Sequence, residues 1–229
     1  TKTPPSKAQT IADVLGEVPI FAALTGDERE ELASHMRVRH FARDEVIFHR
    51  DDPAGHFFAI VAGTVKLTAH DDGGREVAIA ILRGGDVFGE LELFDDIPRS
   101  VTVTAITETQ ALALDRRDFF DVLERHPRAM RLMLTSLART IRDTARRIED
   151  LVFLDLPSRV AKALLDLRTA HGENGEIHLT QDDIAAFVGA TRASVNRVLS
   201  DLEQQGIVGI GRRHIELKDL PRLQRQVRS

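Results

Sequence analysis

The 229-residue chain contains no cysteine. That excludes disulfides, thiolate zinc sites and cysteine-ligated iron–sulfur clusters. A reducing cytoplasm is the simplest expected location. No stretch of 18 apolar residues occurs, so no membrane span is expected. No charged, apolar, small-residue signal opens the chain, which starts TKTPPSKAQT and reads there as a flexible polar leader. The nine histidines are scattered without H-x-H or H-E-x-x-H spacing, and no metal site is expected. Positive charge is also in deficit, 31 Lys and Arg against 36 Asp and Glu, for a net charge of −5. From Thr180 onward, however, eight Lys and Arg face six Asp and Glu, a local +2 that leaves −7 for residues 1–179. An acidic body with a mildly basic tail fits a tail that meets phosphate.

What is present falls into successive patterns. With 42% hydrophobic residues the chain can bury a core, and its length suits two domains. Residues 10–37 read as two short helices, IADVLGEV and DEREELASHM, the second with Thr25 as N-cap and Glu28 three residues on. Between Phe41 and Leu114 come short apolar runs: EVIFH, HFFAIVA, TVKLTAH, EVAIAIL, SVTVTAI and QALALD. Turn residues separate them, with DDGG as a hairpin signal. Six strands at about ten-residue spacing predict a small β-barrel or sandwich. RRDFFDVLERHP then restores a helical period and stops at Pro127.

A long helix is predicted from about Arg128 to Phe153. Leu134, Leu137, Ile141, Thr144, Ile148 and Leu151 recur at alternating spacings of three and four, the seam of a coiled coil, and predict a dimer interface. Arg131, Arg139, Arg142, Arg146 and Arg147 occupy the opposite side. Thr144 is the polar member of the seam.

The remainder reads as a third pattern. PSRVAKALLDLRTAHG is a helix with Pro157 in its first turn and Gly172 after its end. LTQDDIAAFVGATRASVNRVLSDLEQQGIV is two helices with a tight turn, the first capped by Thr180 and Asp183 and ending before Gly189, the second running from near Thr191 to Gly206. IVGIGRRHIEL is a hairpin tipped by Gly211, Arg212 and Arg213. Together they predict a winged helix-turn-helix. Val195, Val198, Leu199 and Leu202 form the inner stripe of the second helix. Ala193, Arg197 and Ser200 lie opposite, flanked by Ser194 and Asn196, with Arg192 in the first turn. That surface is small and polar enough to enter a major groove. The forked donors of Arg192 and Arg197 match guanine O6 and N7, and Arg197 can equally hold a phosphate. Thr180, Thr191, Arg212 and Arg213 suit phosphates, which position a protein without specifying sequence.

Three motif sets carry a resemblance that spans Val18 to Leu217. GDVFGELELFDDIPRS resembles the phosphate-binding cassette of the CRP/FNR family of bacterial transcription regulators. DLVFLDLPSRVAKALLDL resembles the family's hinge and first DNA-binding-domain helix, and VGATRASVNRVLSDLEQQGIV its helix-turn-helix. The resemblance implies an α+β architecture: a jelly-roll-like cyclic-nucleotide-binding β-roll over residues 1–127, a dimerisation helix and hinge over 128–154, and a winged helix-turn-helix over 155–229. In the cassette, glycines permit close backbone approach and Arg99 offers a charge-assisted pair to phosphate. Glu90 can accept from sugar hydroxyls, and Ser100 adds a neutral donor. By resemblance, Gly89, Glu90, Leu91, Arg99, Ser100, Val101 and Thr144 form the ligand site. Glu90 then meets the ribose 2′-hydroxyl, Arg99 and Ser100 the cyclic phosphate, and Thr144 the base.

Three positions depart from the pattern. Ala145 lacks the polar contact often made next to the threonine, and Val101 is bulkier than the common alanine. Ala193 replaces a glutamate that reads cytosine, so altered preference at one base pair of each half-site is expected. The expected effector is cyclic AMP, with cyclic GMP, cyclic di-GMP or no ligand as alternatives. The expected partners are palindromic double-stranded DNA, a second copy of the chain and RNA polymerase. One carboxylate and one arginine, with no nucleophile–base pair, describe a binding site rather than a catalytic one, so no enzymatic activity is expected.

Overall fold

The computed structural model describes residues 7–19, 21–22, 24–70, 76–171, 176–177 and 179–227. The DDGG turn signal at 71–74, Gly172 and the first six residues of the polar leader lie outside the described residues. The chain forms two compact units, Thr1–Ala69 with Ile81–Ile141, and His70–Ala80 with Arg142–Ser229.

The leader gives way early to helix, since α1 spans Lys7–Glu17. Helix α2 (Gly26–His35) starts at a reciprocal capping box, in which Thr25 Oγ1 accepts from Glu28 N–H and Glu28 accepts from Thr25 N–H. Eight strands follow: β1 (Arg37–Phe41), β2 (Val46–Phe48), β3 (His56–Ala62), β4 (Thr64–His70), β5 (Glu76–Arg83), β6 (Val87–Phe88), β7 (Thr102–Ala105) and β8 (Thr109–Asp115). They form two four-stranded sheets, β1-β8-β3-β6 and β2-β7-β4-β5. Two more strands are therefore present than the six apolar runs. In β1, RVRHF, only Phe41 is fully buried, so charged residues hide the strand from an apolar count. In β6 only two residues pair, and both do so with β3.

Alternation along β3 and β8 builds two cores at once. Phe57, Ala59, Leu112 and Leu114 face a helical layer with Leu15, Leu32, Phe119 and Met133. Phe58, Ile60, Ala111 and Ala113 face the other way, onto Phe41, Val65, Phe88, Val103 and Ala105. A period of two places adjacent residues on opposite faces, so the continuous apolar run HFFAIVA serves both cores. Helix α3 (Leu91–Asp95) has five residues and lies between β6 and β7. Asp115 caps α4 (Arg116–Arg125), and α5 runs over Pro127–Phe153. Its 27 residues make a rod of about 40 Å. Ala129 and Met133 anchor its start in the helical layer.

The second unit contains α6 (Leu156–His171), β9 (Glu176–Ile177), α7 (Gln181–Val188), α8 (Arg192–Gln204), β10 (Val208–Gly211), β11 (His214–Leu217) and α9 (Leu220–Gln226). The two expected helices keep their caps. Thr180 and Asp183 form a capping box, Gly189 closes α7 in the left-handed region at φ 67°, and Thr191 caps α8. The wing is the antiparallel pair β10–β11, extended by β9, and Arg212–Arg213 make its turn. Strand β9 and helix α9 are additions to the expected pattern. Leu223 of α9 is fully buried, and Asp219 caps the helix. Both elements are too short for periodicity to reveal.

Candidate functional site

The cassette is assembled around a buried arginine. Arg99 is 3% exposed and its guanidinium lies 4.2 Å from the Phe48 ring centroid. Its Nη1 donates to the Gly89 carbonyl at 2.8 Å and its Nη2 to the His56 carbonyl at 2.5 Å. Gly89 has φ 78°, and a Cβ there would stand 2.9 Å from Arg99 Nη1. The glycine is needed for the turn and for the arginine's approach. Arg99 Nε is buried with no hydrogen-bond partner among the described residues.

Sequence reasoning missed the arginine's main counter-charge. Glu92, 4% exposed, places Oε2 3.2 Å from Arg99 Nη1. Its Oε1 accepts from Ser100 Oγ at 2.5 Å and from Ser100 N–H at 3.1 Å. Burial raises the Glu92 pKa, but the Ser100 donors and Arg99 outweigh it and hold the carboxyl below its ordinary value. The visible signal is a second glutamate two residues after Glu90.

Glu90 is the opposite case. It is 8% exposed and precedes α3 without a side-chain capping bond. Burial, with Glu92 adding negative charge, pushes its pKa up to about 7. The folded value lies above the ordinary 4.5, so between pH 4.5 and 7 the folded chain holds more protons than the unfolded one. Stability therefore falls as pH rises through this window, by about 3 kcal/mol at most. Glu90→Gln is expected to leave stability near pH 4.5 unchanged and to raise it at pH 8. Urea unfolding of both proteins at the two pH values checks this. A native protein equal to the variant at pH 8 would refute it.

Leu91 is 49% exposed beside this cluster, and Val101 packs partly on the inter-sheet core. Thr144 belongs to the second unit, exposed on α5. Along the expected seam, Leu134, Ile141, Ile148 and Leu151 are 58%, 69%, 57% and 53% exposed, whereas Leu137 turns partly toward its own helical core. Arg147, read as a member of a charged outer side, instead stacks on the Phe187 ring at 4.0 Å and donates to the Ile79 carbonyl.

The helix-turn-helix gathers several predicted residues around one cleft of about 270 Å³. Thr180, Arg192, Arg212 and Arg213 all line it. Arg192 is paired with Asp182 at 3.1 Å, so it must leave that exposed partner to reach a base. Arg197 and Ala193 are exposed on α8, and Ser194 shares a hydroxyl contact of 2.9 Å with Thr191. Asn196 turns inward, its Oδ1 buried with no hydrogen-bond partner among the described residues, so its carbonyl is not presented to solvent.

Comparison with known proteins agrees with both halves. Residues 38–126 match the cyclic nucleotide-binding domain, and residues 158–226 match the Crp-like helix-turn-helix domain. The chain is 33% identical over 222 residues to the CRP-like cAMP-activated global transcriptional regulator of Mycobacterium tuberculosis, covering 94% of this chain and 99% of that protein. It is 30% identical to the cyclic AMP receptor protein of Thermus thermophilus, over 88% of this chain and 93% of the relative. A solved CRP/FNR-family transcriptional regulator from the same organism superposes with a TM-score of 0.72 at 28% identity, covering 84% and 99% of the two chains. The arginine-centred cassette, the winged helix-turn-helix and these matches place the chain in the CRP/FNR family of DNA-binding transcription regulators with a cyclic-nucleotide-binding domain.

Proposed function

We propose that this chain is a homodimeric, sequence-specific DNA-binding transcription regulator controlled by a cyclic nucleotide, cyclic AMP first, bound in its β-roll. The observation that carries the reading is the convergence of Arg99 and Ser100 donors on one buried point beside Glu90. Arg99 and Ser100 take the cyclic phosphate, and Glu90 takes the ribose hydroxyl. Gly89, Leu91 and Val101 line the nucleotide, and Thr144 meets the base. The exposed apolar side of α5 supports a second copy as partner, because four large apolar residues facing water on one helix side are costly to leave uncovered. The sensor then comprises residues 1–127, the dimer helix and hinge 128–154, and the DNA-binding domain 155–229. Two recognition helices about one DNA turn apart read a palindrome. The protein works in the cytoplasm, where its operator and RNA polymerase are, and it catalyses no reaction. A ligand acts through its differential affinity for two states of the dimer.

Titration of a selected palindromic operator with cyclic AMP, cyclic GMP and cyclic di-GMP tests the reading. Cyclic AMP is expected to raise operator affinity about tenfold or more. The Arg99–Glu92 pair favours one second reading, a regulator that needs no ligand because its site is already neutral. Operator binding indifferent to all three nucleotides would establish that alternative.

The wing gives an independent expectation. Arg212→Ala with Arg213→Ala removes two phosphate contacts. Affinity is expected to fall alike for all DNA sequences, and the slope of log K against log salt to shrink by about 2. Fluorescence anisotropy at several salt concentrations measures it. A loss confined to one sequence would make the wing a base reader.

A further inference from the structure

We propose that Glu92 is a built-in anion that occupies the phosphate position of the cassette, so that a cyclic nucleotide binds only by displacing it. The inference rests on the reading of the cassette as a cyclic-nucleotide site. Glu92 draws on the donors that a cyclic phosphate would use: Arg99 Nη1 at 3.2 Å, Ser100 N–H at 3.1 Å and Ser100 Oγ at 2.5 Å. Two oxygens of one carboxylate thus copy two oxygens of a phosphodiester. The carboxylate is buried rather than drawn in from solvent. Holding phosphate and carboxylate together there would pair two anions with one guanidinium, a repulsion that low local dielectric makes strong.

Displacement has three consequences. Affinity for the nucleotide is set lower than Arg99 and Ser100 could provide, because each contact replaces an existing one. Arg99 and Ser100 are held paired and ordered by the chain itself. Release of Glu92 moves α3, whose second residue it is, so ligand entry is coupled to a backbone element.

The test compares native protein with Glu92→Gln by calorimetry, using cyclic AMP and the base-free probe dimethyl phosphate. Glutamine keeps the shape and removes the charge. Arg99 retains the Gly89 and His56 carbonyls and the Phe48 face. The variant is expected to bind cyclic AMP about tenfold tighter or more, and to bind dimethyl phosphate where native protein does not. If native protein binds cyclic AMP and the variant binds it no tighter, the proposal is overturned while the nucleotide reading stands. If dimethyl phosphate binds the variant but cyclic AMP binds neither protein, the internal anion is supported and the nucleotide reading fails. Binding of neither probe to either protein overturns both. Glu92→Ser, folded in phosphate buffer and then exchanged into chloride, replaces the variant if glutamine does not fold. Its thermal stabilisation by phosphate over chloride reports the same vacated anion position, and its absence overturns the proposal.

Discussion

Changing Ile141 and Ile148 together to glutamate is expected to make the protein monomeric and to weaken operator binding by a factor of about 10² to 10⁴. Both residues are more exposed than buried in the single chain, at 69% and 57%. They lie one heptad apart on α5, where a partner helix would cover them. Four glutamates would then face one another across the two-fold axis, buried and without counter-charge, which disfavours association strongly. A monomer presents one recognition helix to one half-site and loses the gain of simultaneous engagement. Among the described residues neither belongs to the two cores of the first unit, and both are more than half exposed, so the monomer is expected to keep its stability within about 1 kcal/mol. Sedimentation equilibrium with operator titration checks both parts. A variant that stays dimeric would move the interface off this seam.

Arg99→Ala is expected to lose cyclic nucleotide binding and also about 3 kcal/mol of stability. The second effect follows from the pair rather than from the arginine alone. Removing the guanidinium leaves the buried Glu92 carboxylate with only its Ser100 donors, and leaves the Gly89 and His56 carbonyls without their donor. It also strips a cation from the Phe48 ring. Denaturant unfolding and calorimetry separate the outcomes. Arg99→Ala with Glu92→Gln should recover part of the stability without recovering the nucleotide, since the unpaired charge is gone while the phosphate donor is still missing. Recovery of neither would place the cost in the cavity instead.

Much of the fold was legible because its signals are local. The capping boxes at Thr25–Glu28 and Thr180–Asp183 span three residues each, and both form as the spacing predicts. The α8 stripe is buried at Val195, Leu199 and Leu202, because 3.6 residues per turn put them on one side. The strands β1 and β6 were not legible. Their pairing depends on β8 and β3, far away in sequence, and not on apolar content. Helix α9 escaped for the same reason, since Leu223 finds its burial only in the folded second unit.

The sequence by itself determined the order of the longer elements, the winged helix-turn-helix and the presence of a glycine-bracketed cassette with Glu90, Arg99 and Ser100. The helices and their turn follow from local spacing, which backbone geometry translates directly, and the cassette follows from the resemblance that its residues carry. Only the tertiary structure decided what those side chains do to one another. It set Glu92 against Arg99 and Ser100, turned Asn196 inward, paired Arg192 with Asp182 and gave Glu90 its raised pKa. Such outcomes depend on burial and on partners brought in by the fold, as the carbonyl of His56 reaches Arg99 across 43 positions of sequence. A charge has no fixed partner in a sequence, and it acquires one when folding removes the water.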